Sequence, residues 1–191
     1  MRDDDGGVFG EWEEKKLGEI GKVSMCKRIM KDQTTINGEI PFYKIGTFAK
    51  KADAFISMAL YESYKRKYSF PKKGDILISA SGTIGRTVIY NGSPAYFQDS
   101  NIIWIDNNEK IIKNNFLFVC YKNINWNTEN TTIARLYNNN VRNIKINLPP
   151  LKEQTKIANF LSSIDKKIEL VTQQLDAVKA FKKALLQQMF V

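Results

Sequence analysis

The spacing of hydrophobic and polar positions changes character once along this chain, at Pro149-Pro150. Upstream, apolar runs are short and bounded by Gly, Pro, Asn or Asp. They predict strands at EIGKVSM (19–25), IPFYKIG (40–46), DILISAS (75–81), RTVIYNG (86–92) and SNIIWID (100–106). The third and fourth read as two strands around a turn, in which Gly82 and Gly85 allow a backbone other residues resist. NNFLFVCYKN (114–123) is ambiguous by periodicity and fits a short buried helix within 113–126. NVRNIKINLPP (140–150) alternates imperfectly and is taken as a final strand. The fold class expected is α/β (α+β), with short twisted strands and no internal repeat.

Downstream, Ile157, Leu161, Ile164, Ile168, Val171, Leu175 and Val178 follow one another at alternating spacings of four and three. Leu185 and Met189 continue that register; Lys182 is its polar interruption, and Phe181 flanks it. A narrow heptad stripe of this length signals a coiled coil, because it buries best against another helix. From Lys152 to Phe190 such a helix runs about 60 Å at 1.5 Å per residue. A body of about 140 residues has a radius of gyration near 14 Å, so part of the stripe needs a partner. The alternative is a terminal helix folded back on its own domain. Pro149 and Pro150 end the last strand and stiffen the corner, and Glu153 falls in the first turn, where the helix dipole favours an acid. The organisation expected is a flexible lead-in at 1–10, a globular domain at 11–148 and a long helix at 149–191.

Composition changes this picture little; charge changes it more. The 191 residues are 43% hydrophobic, enough for a core. No apolar run approaches the roughly 20 residues needed to cross a bilayer, and MRDDDGGVFG lacks the apolar centre of a secretion signal. Two distant cysteines, Cys26 and Cys120, argue against a disulfide framework or a zinc site, and a reducing cytoplasm is the expected location. The formal charge of +9 is concentrated in residues 22–73, which hold 12 basic and 4 acidic groups. There, Tyr and Phe interleave with Lys and Arg, as a polyanion partner requires. A merely solvated basic face remains open, and an acidic-lipid surface is the weaker option because no amphipathic helical period accompanies the charge.

Catalytic constellations are not apparent. Histidine is absent, which removes the commonest general base and metal ligand. SGTIGR lacks the lysine and length of a phosphate loop, NLPPL lacks the aromatic and the cofactor loop of an amino-methyltransferase, and Glu13 to Lys15 lacks the upstream partner of a nuclease motif. Ser79 and Ser81 have no base to activate them. No metal site is expected.

Five segments in order carry a family resemblance: EWEEKKLGEIGKV, IPFYKIGTF, KKGDILISASGTIGRTVIY, AYFQDSNIIWI and VRNIKINLPPLKEQTKIANFLSSID, together spanning roughly 11–190. The chain resembles half of a DNA specificity (S) subunit of a type I restriction–modification system, with one target-recognition domain and one conserved helix. The resemblance implies a non-catalytic subunit that reads one half of a bipartite target in double-stranded DNA. It implies methyltransferase (M) and restriction (R) subunits as partners, and S-adenosylmethionine and ATP on those partners rather than on this chain. Half length admits a natural half-subunit, a product of gene shuffling or truncation, or an excised half. A lone half is expected to form a twofold homodimer through antiparallel C-terminal helices, along the seam of Ile157, Leu161, Ile164, Ile168, Val171, Leu175, Val178 and Leu185. Phosphate contacts are expected from Lys27, Arg28, Lys31, Lys50, Lys51, Lys65, Arg66 and Lys67. Base-reading candidates are Gln33, Thr34, Thr35, Ser79, Ser81, Thr83, Arg135, Tyr137, Asn138, Asn139 and Asn140. Competing readings are a basic coiled-coil scaffold and a DNA-binding regulator without restriction partners.

Overall fold

The structure is a computed structural model that describes residue 7, residues 10–126 and residues 135–189. Most of the expected lead-in, and Phe190 at the end of the expected helix, lie outside the described residues.

A central antiparallel sheet divides the globular part. Its strand order is β2 (Gly21–Ser24), β8 (Ile102–Asn107), β5 (Ile76–Ser79) and β6 (Thr87–Ile89). β5 and β8 read as continuous apolar runs because both their faces are covered. Ile76, Ile78, Ile103 and Ile105 point into one core, beneath α3 (Asn114–Asn123), α4 (Asn138–Asn143) and the start of α5 (Leu151–Met189). Leu77, Ile102 and Trp104 point into the other. That second core is rich in rings: Tyr61, Phe70, Tyr90, Tyr96 and Phe97 meet in edge-on or tilted pairs at centroid distances of 5.6 to 6.0 Å. It is roofed by α2 (Met58–Lys67) and a small sheet of β4 (Phe55–Ile56), β3 (Ile40–Tyr43) and β7 (Tyr96–Phe97), in which β3 and β7 run parallel. Two acceptors start α2: Ser57 Oγ accepts from Leu60 N at 3.3 Å, and Glu39 Oε2 accepts from Met58 N at 2.9 Å.

The strands expected at 40–46 and 86–92 end early, at Tyr43 and Ile89, and two other expectations change element at their boundaries. The strand expected from Glu19 begins only at Gly21, because Leu17–Ile20 form one helical turn, α1. Leu17 and Ile20 lie three apart, and the turn puts both into the same core. The final strand expected from Asn140 is also shorter. Residues 138–143 form α4, which inserts Val141 into the core, and only Lys145–Leu148 form β9. β9 pairs antiparallel with β1 (Glu13–Lys16), Glu13 opposite Leu148 and Lys16 opposite Lys145. The module therefore begins and ends on one two-stranded ribbon.

The glycine turn between β5 and β6 is tightly built. Gly82 and Gly85 have φ of 63° and 81°, and a Cβ on Gly85 would overlap the Trp126 indole. Gly85→Ala is expected to lower stability by about 2–4 kcal/mol, from the left-handed backbone and the steric overlap together. Gly46→Ala, with open space around its position, should change it by less than about 0.5 kcal/mol. Urea midpoints of the two variants check the contrast.

After Pro150, α5 runs unbroken for 39 residues. Its first turns are anchored: Glu153, Gln154 and Ala158 are buried, and Ile157 packs against the helical core. The Lys122–Asp165 ion pair at 3.0 Å adds an exposed tie. Every residue from 162 to 189 is exposed, so the helix leaves its own domain rather than folding back on it. The seam is accordingly divided. Ile157 and Leu161 are half-buried near α3, whereas Ile164, Ile168, Val171, Leu175, Val178 and Leu185 stand open to solvent. Among the described residues, no helix is long and apolar enough to cross a membrane.

Candidate nucleic-acid interface

The loop after β2, the turn after β3 and the loop between β7 and β8 converge on a cleft of about 540 Å³. Four basic side chains line it: Arg28 and Lys31 from the first loop, Lys44 from the second, and Arg135 from the segment before α4. Gln98, Asp99, Ser100 and Asn101 supply a polar wall of the same cleft. Sequence reasoning placed Arg28, Lys31, Thr34 and Arg135 among the candidates, and the fold brings them together. It missed Lys44 and the whole Gln98–Asn101 wall. The available signal was a polar quartet, QDSN, between the aromatic β7 and the apolar β8.

Each loop is held by its own side chains. Met30 N donates to Gln33 Oε1 at 2.8 Å, Thr34 Oγ1 donates to the Lys31 carbonyl at 2.8 Å, and Thr35 Oγ1 donates to the Asn37 carbonyl at 2.7 Å. Gln33, Thr34 and Thr35 thus already shape the loop that carries Arg28 and Lys31. In the polar wall, Ile45 N donates to Gln98 Oε1 at 2.9 Å, tying the β3 turn to the end of β7. Ser81 Oγ donates to Asn101 Oδ1 at 2.9 Å, and Ser81 also bridges to Arg135 through the backbone. The Arg135 guanidinium lies 5.9 Å from the exposed Tyr137 ring, which supports it laterally.

Ser79 does not fit the base-reading role expected for it. It is fully buried; its hydroxyl donates to the Thr83 carbonyl and accepts from Arg86 N at 2.9 Å, closing the glycine turn from inside. Arg86 is likewise spent on structure, its Nη1 donating to the Phe48 carbonyl at 2.8 Å. Thr83 is exposed at the tip of that turn. Asn138 and Asn139 are exposed at the start of α4, and Asn140 is half-buried.

The remaining lysines and arginines spread over other faces. Lys27 Nζ stands 5.2 Å above the Tyr68 ring at the end of α2, close to the basic last turn formed by Lys65, Arg66 and Lys67. Lys65 itself lies over Tyr61 and Phe70 at 5.1 and 5.6 Å, its stem covering the aromatic core. Lys50 lines a separate groove beside Phe48, Tyr90 and Phe97, and Lys51 is exposed next to it. The positive groups therefore form a cleft and flanks, not one stripe.

Among the described residues, no group of three or more His, Cys, Asp or Glu is placed to hold a metal ion. Burial pushes the Cys26 thiol up to about 12, despite a hydrogen bond with the Phe97 backbone, and burial pushes Cys120 up to about 12 as well. At neutral pH both are protonated and unreactive.

Comparison with known proteins gives this geometry a family. The family model for the type I restriction modification DNA specificity domain matches residues 10–180. A putative type I restriction enzyme specificity subunit of Haemophilus influenzae is 56% identical over 161 residues, covering 84% of this chain and 42% of that protein. The chain thus spans less than half the length of that relative. Among solved structures, a chain from a study of complex assembly and conformational transition in a type I R-M system has a TM-score of 0.69 at 18% identity, covering 96% of this chain and 46% of its own. The HsdS subunit of Thermoanaerobacter tengcongensis has a TM-score of 0.63 at 17% identity, covering 90% and 41%. At such identities the structures support the fold alone, whereas the family match takes in nearly the whole sequence: the chain belongs to the type I restriction modification DNA specificity domain family.

Proposed function

We propose that this chain reads one half of a bipartite target in double-stranded DNA for a type I restriction–modification assembly, as a non-catalytic subunit. Residues 11–148 act as the target-recognition domain and residues 149–191 as the helix that pairs and docks. The observation that carries the reading is one combination: a cleft with four basic side chains, built on loops, in a chain that also carries a helix exposed from residue 162 to 189. Loops on a rigid sheet suit base reading, and an exposed rod with a heptad stripe suits spacing two readers. The methyltransferase and restriction subunits are the partners, S-adenosylmethionine and ATP belong to them, and the assembly works in the cytoplasm. A second copy of the chain, antiparallel along the exposed seam, supplies the other half-site reader.

Methylome sequencing of cells expressing the chain with its methyltransferase tests this directly. A reproducible interrupted motif with modified adenine is expected, and its absence favours the basic scaffold. Binding in vitro should weaken linearly in log–log form with salt, by a slope of about −0.9 for each phosphate neutralised. Lys67→Ala, on the flank and outside the cleft, is expected to reduce that slope by about 1 and leave the motif unchanged.

A further inference from the structure

Arg28 differs from the other cations of the cleft in how it is held. Its Nε donates to Asp99 Oδ2 at 2.9 Å. The carboxylate is the fixed member of the pair: its side chain is 15% exposed and that of Arg28 is 66% exposed. Asp99 is braced by the chain around it. Ser100 Oγ donates to the same Oδ2 at 3.2 Å, and Asn101 N donates to the Asp99 carbonyl at 2.6 Å. Ser100 takes a left-handed φ of 59°, which makes the bend that presents this carboxylate to the cleft. The loop is tied at both sides, by Gln98 N to the Tyr43 carbonyl at 2.9 Å and by Ile102 N to the Gln98 carbonyl at 3.1 Å.

This attachment decides what Arg28 is suited to bind. Engaging Nε leaves Nη1 and Nη2, the parallel terminal pair of the guanidinium fork, without a share in the ion pair. A phosphate gains little from an arginine whose charge is already matched by a carboxylate, and that carboxylate repels it at short range. A guanine edge in the major groove offers O6 and N7, two uncharged acceptors at the spacing of the fork. The arginine end of the pair stands in solvent, which screens it, so stability is a weak account of the pair. Lys31 and Lys44 share the cleft but are point charges without a fork, and Lys44 is paired with Asp53 at 2.9 Å.

We infer that Arg28 reads a guanine of the half-site rather than a phosphate, and that Asp99 is the positioning residue that aims its fork. The inference rests on the DNA-reading function proposed above, and the two fail in different ways. The experiment is methylome sequencing with the full chain and its methyltransferase, comparing Arg28→Lys, Asp99→Ala and Asp99→Asn with the unsubstituted protein. Arg28→Lys keeps the charge and removes the fork. The unsubstituted motif is expected to specify a G·C pair, and Arg28→Lys is expected to relax that position by about 10-fold or more while the others stand. Asp99→Ala is expected to relax the same position, with Asp99→Asn, which keeps an acceptor oxygen, closer to the parent. A loosened fold would instead lower methylation at every site without changing the motif. The inference is overturned by a half-site without a G·C pair, by an unchanged motif in Arg28→Lys, or by relaxation at different positions in the Arg28 and Asp99 variants. If the unsubstituted chain gives no motif at all, the DNA-reading function itself falls.

Discussion

Replacing Val171 and Leu175 together with aspartate is expected to convert a species of twice the 21.9 kDa chain mass into a monomer, read by light scattering at micromolar concentration. Both side chains are at least half exposed on α5 and lie far beyond its last tie to the domain, the Lys122–Asp165 pair. The globular fold should therefore be untouched by the change. Antiparallel pairing of two identical stripes has a register that matches them from Ile157 to Met189, with apolar layers throughout except where Lys182 falls. In it Val171 faces Leu175 of the second copy, Ile168 faces Val178, Leu161 faces Leu185 and Ile157 faces Met189. Ile164 then faces Lys182, where the long stem of the lysine packs over the seam and its charge reaches water. Val171 and Leu175 sit beside the twofold axis, so the double substitution places four carboxylates in one short stretch of the interface. Each seam residue otherwise contributes about 1.5–3 kcal/mol on burial, and a buried unpaired charge costs several kcal/mol. The bipartite methylation motif should disappear with the dimer. An unsubstituted chain that scatters as a 21.9 kDa particle would rule out the pairing.

Gln154→Ala is expected to destabilise the globular domain by about 3 kcal/mol, lowering its melting temperature by on the order of 10 °C. The buried carboxamide uses both its ends. Its Oε1 accepts from Lys113 N at 2.9 Å, and its Nε2 donates to the carbonyls of Ile111 at 3.0 Å and Pro149 at 2.9 Å. One side chain thus joins the segment leading into α3, the proline corner and the first turn of α5. Truncation leaves a buried backbone donor and two acceptors unpaired, the expensive way to lose a hydrogen bond. Thr155→Ala, one residue on, removes an exposed hydroxyl bonded only to the Leu151 carbonyl, and should move the melting temperature by little more than the error of the measurement. Equal shifts in the two variants would show that helix propensity, not the Gln154 network, sets the effect.

How far the sequence foretold this molecule depends on what kind of contact each feature needs. β5, β8 and α5 were legible because apolar runs and heptads are local patterns that tertiary structure then obeys. The glycine turn was legible for the same reason, since positive φ leaves a chemical trace. The turn at Leu17–Ile20 was not, because four residues are too few to separate a period of 3.6 from one of 2. The strand expected from Asn140 begins only at Lys145, because Val141, Ile144 and Ile146 fit an irregular strand as well as a helix followed by a strand. The binding candidates suffered most where a hydroxyl or amide chose a partner distant in sequence or hidden in a turn. Nothing in ISAS says that Ser79 faces inward, and nothing in FQDSN says that Asp99 meets an arginine 71 residues earlier. Charge patterns found the basic region; only folding sorted its members into cleft and flank.

The ribbon of β1 and β9 fixes when this domain is able to finish forming. Glu13–Lys16 has no partner until Lys145–Leu148 arrives, so the closing contact spans a loop of about 130 residues and carries the entropy of that loop. On the ribosome, the central sheet has all four of its strands once Asn107 has emerged, whereas the first strand waits beside it with an open edge. The strand that latches the domain is also the one that leads into Pro149, Pro150 and α5. Closure and launching of the rod are thus one event in time, and a nascent chain has no completed domain before the long helix begins to appear.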